Sequence, residues 1–197
     1  EIWAGPMNPG RAYRLISRAL DALAAAHRAG LVHRDLKPSN LFLVDAGSDD
    51  EYLKILDFGI AAVCDPDAAN FGQTKLTTQG GVVGTAQYLA PEYIEGQEVT
   101  PAIDVYQMGL ILAEMVIGRP AVNADTWISC AHKHLTGDLD IPAEVFALDG
   151  LGPVIRTATM CDPVARYTDA SAMRAAMSAP SSRIVNQGDG AAKPRMT

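Results

Sequence analysis

Asp35, Lys37, Asn40 and Asp57 are the side chains whose types and spacing could do chemistry. The run His33-Arg34-Asp35-Leu36-Lys37-Pro38-Ser39-Asn40 sets a carboxylate, then an ammonium two residues on, then a carboxamide. Asp57-Phe58-Gly59 follows, and further on comes Gly84-Thr85-Ala86-Gln87-Tyr88-Leu89-Ala90-Pro91-Glu92. Carboxylate and carboxamide oxygens are hard donors of the kind Mg²⁺ takes. A positioned carboxylate can also accept a hydroxyl proton. Taken singly, Asp35 reads as a solvated or turn-forming carboxylate and Asn40 as a turn residue. The order and spacing of the three segments give them weight.

His33 to Asn40 matches the HRDLxxxN pattern of a kinase catalytic loop, Asp57 to Gly59 the DFG element and Ala90 to Glu92 the APE element. Over about residues 1–178 the chain resembles the catalytic domain of eukaryotic-like serine/threonine protein kinases, in wording closest to bacterial members. The resemblance implies transfer of the ATP γ-phosphoryl group to Ser/Thr hydroxyls of a protein substrate. Asp35 would accept or orient the hydroxyl proton, and Lys37 would place positive charge near the moving phosphoryl. Asn40 and Asp57 would hold Mg²⁺, with Mn²⁺ as the alternative ion.

Other residues take roles by the same resemblance. Phe42 would lie under the adenine ring; ordinary strand core is the competing reading. His33 would pack behind the loop, Phe58 would fix Asp57, and Gly59 would permit the backbone angle that follows. Arg34 suits capture of an activation-loop phosphate, for which Thr74, Thr77 and Thr78 are candidates. Thr85 would bond towards Asp35 and Lys37. Asp104 would receive backbone N–H groups of the catalytic loop, and Glu92 with Arg166 would form a buried ion pair.

These residues need elements to hold them. Leu15, Ile16, Ala19, Leu20, Leu23 and Ala26 recur at helical spacing and predict an amphipathic helix over 11–29, with Asn8 as N-cap and Gly30 as its close. Apolar runs at 41–44 and 52–56, separated by acidic residues, predict a short hairpin whose turn at 47–51 is solvated. Residues 57–91 read as one long loop, of the kind that is either functional or disordered. Helices are expected at 105–117, buried, and at 126–135, 151–160 and 169–177. Residues 179–197 read as a disordered tail or linker, which leaves 1–178 as the folded unit.

Of the 197 residues, 48% are hydrophobic, which excludes disorder by low hydrophobicity. A formal charge of −7 argues against a nucleic-acid binder. Cys64, Cys130 and Cys161 are too few and too scattered for a disulfide framework or structural zinc. The run 105–117 contains Gln107 and Glu114 and is too short to span a bilayer. The expected location is cytoplasmic, leaving room for a membrane anchor in a longer protein.

A kinase also needs a Gly-rich loop, a strand lysine of the V-A-I-K type and a helix glutamate pairing with it. None of these stands in this sequence. The expected fold is therefore mainly α: a kinase-like C-terminal lobe with a short β-hairpin at the cleft and the small N-lobe absent. That N-lobe is expected upstream as the missing partner, and the lobe alone is expected to be inactive. A kinase dimer for trans-phosphorylation is the oligomer the resemblance suggests. The alternatives are a pseudokinase or interaction module, and a small-molecule phosphotransferase.

Overall fold

Asn8 starts the first helix. Its Oδ1 accepts from the Gly10 and Arg11 amides at 2.9 and 3.4 Å, and Pro9 occupies the first turn. Helix α1 (Pro9–Arg28) buries Ala12, Leu15, Ile16, Ala19, Leu20 and Leu23 completely. Each fully buried Leu or Ile of that stripe contributes about 1.5–3 kcal/mol. Gly30, at φ +77°, lets the chain turn away.

The computed structural model describes residues 5–58 and 86–178. Gly59, Cys64, Thr74, Thr77, Thr78, Thr85 and the expected tail at 179–197 lie outside the described residues.

After α1 the chain runs through a loop and a 3₁₀ turn (Pro38–Asn40) into strands β1 (Leu41–Val44) and β2 (Tyr52–Ile55), paired antiparallel. Leu41 faces Ile55 and Leu43 faces Leu53 on the core side. Phe42 faces Lys54 on the outer side, and both are exposed. Phe42 is 57% exposed, so it is not strand core.

The turn between the strands differs from the solvated one expected. Asp49 and Asp50 are exposed, but Glu51 is buried. Arg11 grips both its carboxylate oxygens at 2.7 Å, and the Gly47 amide adds a bond at 3.1 Å. Arg18 donates to the carbonyls of Asp50 and Glu51, each at 2.9 Å. The arginines on the polar side of α1 thus fasten the hairpin to the helix. The Arg11 bonds hold the Glu51 carboxyl down at about 2.

The remaining described α-helices are α2 (Pro91–Ile94), α3 (Ala102–Ile117), α4 (Trp127–Thr136), α5 (Gly152–Ala158) and α6 (Ala170–Ala176), with 3₁₀ turns at Ala143–Ala147 and Pro163–Ala165. Helix α3 is the axis: 14 of its 16 residues are buried, as expected of a helix apolar all round. It begins three residues before the predicted 105. Gly109 lets α5 approach closely, since a Cβ there would stand 2.7 Å from that of Ala158. Helix α5 stops short of the predicted 160, and beyond its end the carbonyls of Met160 and Cys161 turn to the Arg166 guanidinium. Among the described residues the result is a helix-rich lobe with one two-stranded sheet.

Candidate active site

The loop between α1 and β1 carries Asp35, and two side chains of α3 hold it from below. The buried Asp104 carboxylate accepts from the His33 and Arg34 amides, both at 2.8 Å. It also meets His27 Nε2 at 2.9 Å. The Ala170 amide donates to Nδ1 of that same ring at 3.2 Å, so Nδ1 carries no proton and Nε2 is the donor to Asp104. Three donors thus compensate one buried carboxylate.

One turn further along α3, Gln107 accepts from the Leu36 amide at 2.9 Å and donates to the Arg34 carbonyl at 3.1 Å. Arg34 sits at φ +69°, a region costly for a non-glycine residue. Its amide is held by Asp104 and its carbonyl by Gln107, so the anchors on α3 enforce the strained turn. The Arg34 Nε is buried and has no hydrogen-bond partner among the described residues.

His33 is fully buried, with Nε2 donating to the Leu56 carbonyl at 2.8 Å and Nδ1 accepting from the Asp35 amide at 3.3 Å. Its ring lies 5.0 Å from that of Phe58. The residue before DFG is therefore tied to the loop that carries Asp35. The Leu56 amide also donates to the Asn40 carbonyl at 2.8 Å, continuing the strand pairing one step towards Asp57. Asp57 follows at φ +51° and is exposed.

Asp35, Lys37 and Asn40 interlock. Lys37 Nζ bonds Asp35 Oδ2 at 2.7 Å. Asn40 Nδ2 donates to the Asp35 carbonyl at 2.7 Å and to its carboxylate at 3.1 Å. With its amide nitrogen engaged there, the Asn40 oxygen remains to face elsewhere. The Asp35 side chain is 52% exposed, as a group that must meet an outside molecule has to be.

The segment 86–90 closes another side. His134 of α4 is buried, and its Nε2 donates to the Ala86 carbonyl at 2.9 Å while Nδ1 accepts from the Tyr106 hydroxyl at 2.8 Å. Burial pushes its pKa down to about 4. The Tyr88 hydroxyl donates to Glu114, and burial raises that hydroxyl's pKa. Below it, the guanidinium of Arg166 and the carboxylate of Glu92 meet in two parallel bonds of 2.8 Å.

Composition and spacing gave no place to His27 or to the bridging role of Gln107. His27 extends the buried stripe Ile16, Leu20, Leu23 at helical spacing, and Gln107 interrupts an apolar run; those were the available signals. Thr74, Thr77, Thr78, Thr85 and Gly59 lie outside the described residues, so the structure relates none of them to this site. Among the described residues, no group of three or more His, Cys, Asp or Glu side chains could hold a metal ion. No described helix is long and apolar enough to cross a membrane.

A helical lobe that pins such a loop to a buried axial helix, with a hairpin delivering Asp57 beside it, is a kinase-like lobe. Residues 4–150 match the family model described as protein kinase domain, and the chain belongs to that family. It is 36% identical over 182 residues to serine/threonine-protein kinase PknL of Mycobacterium tuberculosis, covering 90% of this chain and 42% of that protein. To serine/threonine-protein kinase PknB of the same species it is 37% identical over 174 residues, covering 87% and 26%. To serine/threonine-protein kinase pkn3 of Myxococcus xanthus it is 39% identical over 131 residues, covering 66% and 23%. The chain spans less than half the length of these relatives.

Proposed function

We propose that residues 1–178 are the large lobe of a serine/threonine protein kinase that moves the ATP γ-phosphoryl group to a protein hydroxyl. The observation that carries this reading is the Asp35–Lys37–Asn40 cluster, set by strand pairing next to Asp57. Asp35 orients the acceptor hydroxyl and takes its proton, and Lys37 both holds Asp35 and brings positive charge to the transfer point. Asn40 and Asp57 suit Mg²⁺, which binds through one or two protein oxygens and completes its shell with phosphate and water. Bound there, the ion would supply positive charge to neutralise the ATP phosphates. Phe42, exposed at the outer face of β1, is available to an adenine ring.

Arg34, strained and with a buried Nε that has no partner among the described residues, suits capture of a phosphate placed on Thr74, Thr77 or Thr78. By the same reading Thr85 would bond towards Asp35 and Lys37 and sit on the acceptor side. The phosphate-covering N-lobe is supplied by residues outside this sequence, and the domain works on the cytoplasmic side. Dimerisation for trans-phosphorylation follows from the same reading.

The experiment uses the protein with its complete kinase domain, ATP and Mg²⁺, and compares a basic protein with small alcohols as acceptors. Phosphate on Ser/Thr of the protein is expected, with Asp35→Asn lowering turnover about a hundred- to ten-thousand-fold at unchanged thermal stability. Phosphate on alcohols alone would favour a small-molecule phosphotransferase, and none on either would favour a pseudokinase. Robust turnover by the 197-residue chain alone would refute the single-lobe reading.

A further inference from the structure

Gln107 is 2% exposed, and every polar atom of its carboxamide is engaged. Oε1 accepts from the Leu36 amide at 2.9 Å. Nε2 donates in two directions, to the Arg34 carbonyl at 3.1 Å and to the Tyr88 carbonyl at 3.2 Å. The three partners fix the orientation of the amide, because a flipped group would set its oxygen against two carbonyls. The first two flank Asp35 on either side in the chain. The third belongs to segment 86–90, which is anchored independently at Ala86 by His134 and at the Tyr88 hydroxyl by Glu114. Asp104 also supports the catalytic loop, but its bonds go to His27, His33 and Arg34 and reach nothing in 86–90.

We infer that Gln107 is a positioning residue that locks segment 86–90 to the catalytic loop, so that the placement of Asp35 depends on how Tyr88 is seated. The inference rests on the kinase reading above, which makes Asp35 the base and sets Thr85, the neighbour of Ala86 in the chain, on the acceptor side; segment 86–90 is taken with it. A buried carboxamide suits such a link because it is uncharged. It donates and accepts at once, and leaving any of its partners unpaired in the interior is costly. An acceptor protein that seats well against 86–90 then sets the base through a single rigid group.

The test uses the protein with its complete kinase domain and two variants, Gln107→Leu and Gln107→Glu. Leucine removes all three bonds. Glutamate keeps the acceptor for Leu36 but turns an oxygen towards the carbonyls of Arg34 and Tyr88. Both variants lose the bond to Tyr88 and are expected to lower kcat/KM for the protein acceptor by at least about tenfold, with KM for ATP unchanged. Amide exchange measured on the same proteins should quicken across 86–90 in both, and at Leu36 in Gln107→Leu alone. Wild-type kcat and KM in Gln107→Glu while 86–90 exchanges faster would overturn the link, even if Gln107→Leu misfolds. An equal rise in KM for ATP and acceptor would reduce Gln107 to a structural residue. If the wild type phosphorylates no protein, the kinase reading has failed instead. Exchange then decides the link alone, and faster exchange at Leu36 without any change across 86–90 would refute it.

Discussion

Replacing Arg166 by alanine should unfold much of what the lobe can spare. The guanidinium is completely buried and makes two parallel bonds of 2.8 Å to Glu92. It also bonds the carbonyls of Met160 at 2.6 Å, Cys161 at 2.8 Å and Ala102 at 3.1 Å, and lies 4.5 Å from the centre of the Tyr106 ring. Alanine would strand the Glu92 carboxylate and three carbonyls in the interior. Removing one partner of a buried pair costs about 3–5 kcal/mol. Ordinary domains hold only about 5–15 kcal/mol in total. For a chain of this size that loss lowers the melting temperature by roughly 6–20 °C. Urea denaturation followed by circular dichroism measures it. Arg166→Lys keeps the charge but lacks the fork, so it should lie between alanine and wild type. The double change Glu92→Leu, Arg166→Met removes both charges and should recover part of the loss. A loss below about 1 kcal/mol in Arg166→Ala, or a double variant no better than the single one, would refute the reasoning.

Two further outcomes follow from packing and protonation. Gly109→Ala puts a Cβ 2.7 Å from that of Ala158, and overpacking of this kind costs about 1–3 kcal/mol; Ala158→Gly in the same chain should restore most of it, as urea midpoints would show. Acidification should weaken the fold in two separate windows. Between pH 6.5 and about 4 the unfolded chain takes up a proton at His134 that the folded chain refuses, so stability falls with pH by up to roughly 3 kcal/mol. From about 4.5 down to about 2, Glu51 adds a second loss, because its folded carboxyl stays ionised beside Arg11 after the unfolded one is protonated. His134→Asn should flatten the first window and leave the second, and equal slopes in both proteins would contradict the assignment.

Much of the site was readable because its chemistry needs fixed residue types at fixed spacing, and the hairpin because its apolar runs are bounded by acids. Glu51 was not readable. It sits after two exposed aspartates, and only the folding back of α1 brings Arg11 to it from 40 residues away. His27 and Gln107 have partners about 70 residues or more distant, and nothing local marks a polar side chain as paired at that range. The start of α3 was hidden for another reason. A helix buried on every side has no polar face, so periodicity cannot tell where it begins.

The His27 ring has a consequence for where this chain can be cut. The family match ends at residue 150, which invites a shorter working piece. Yet the first turn of α6, at Ala170, donates to His27, and His27 donates to the carboxylate that carries the His33–Arg34 peptide. The loop that carries Asp35 therefore stands two hydrogen bonds from a helix beyond the end of the family model. Arg166, which closes on Glu92, lies beyond it as well. A piece ending at residue 150 would keep every motif residue from His33 to Glu92 and lose the tether that orients them. The limit of the family model and the reach of the hydrogen bonds that hold the Asp35 loop are different places in this molecule.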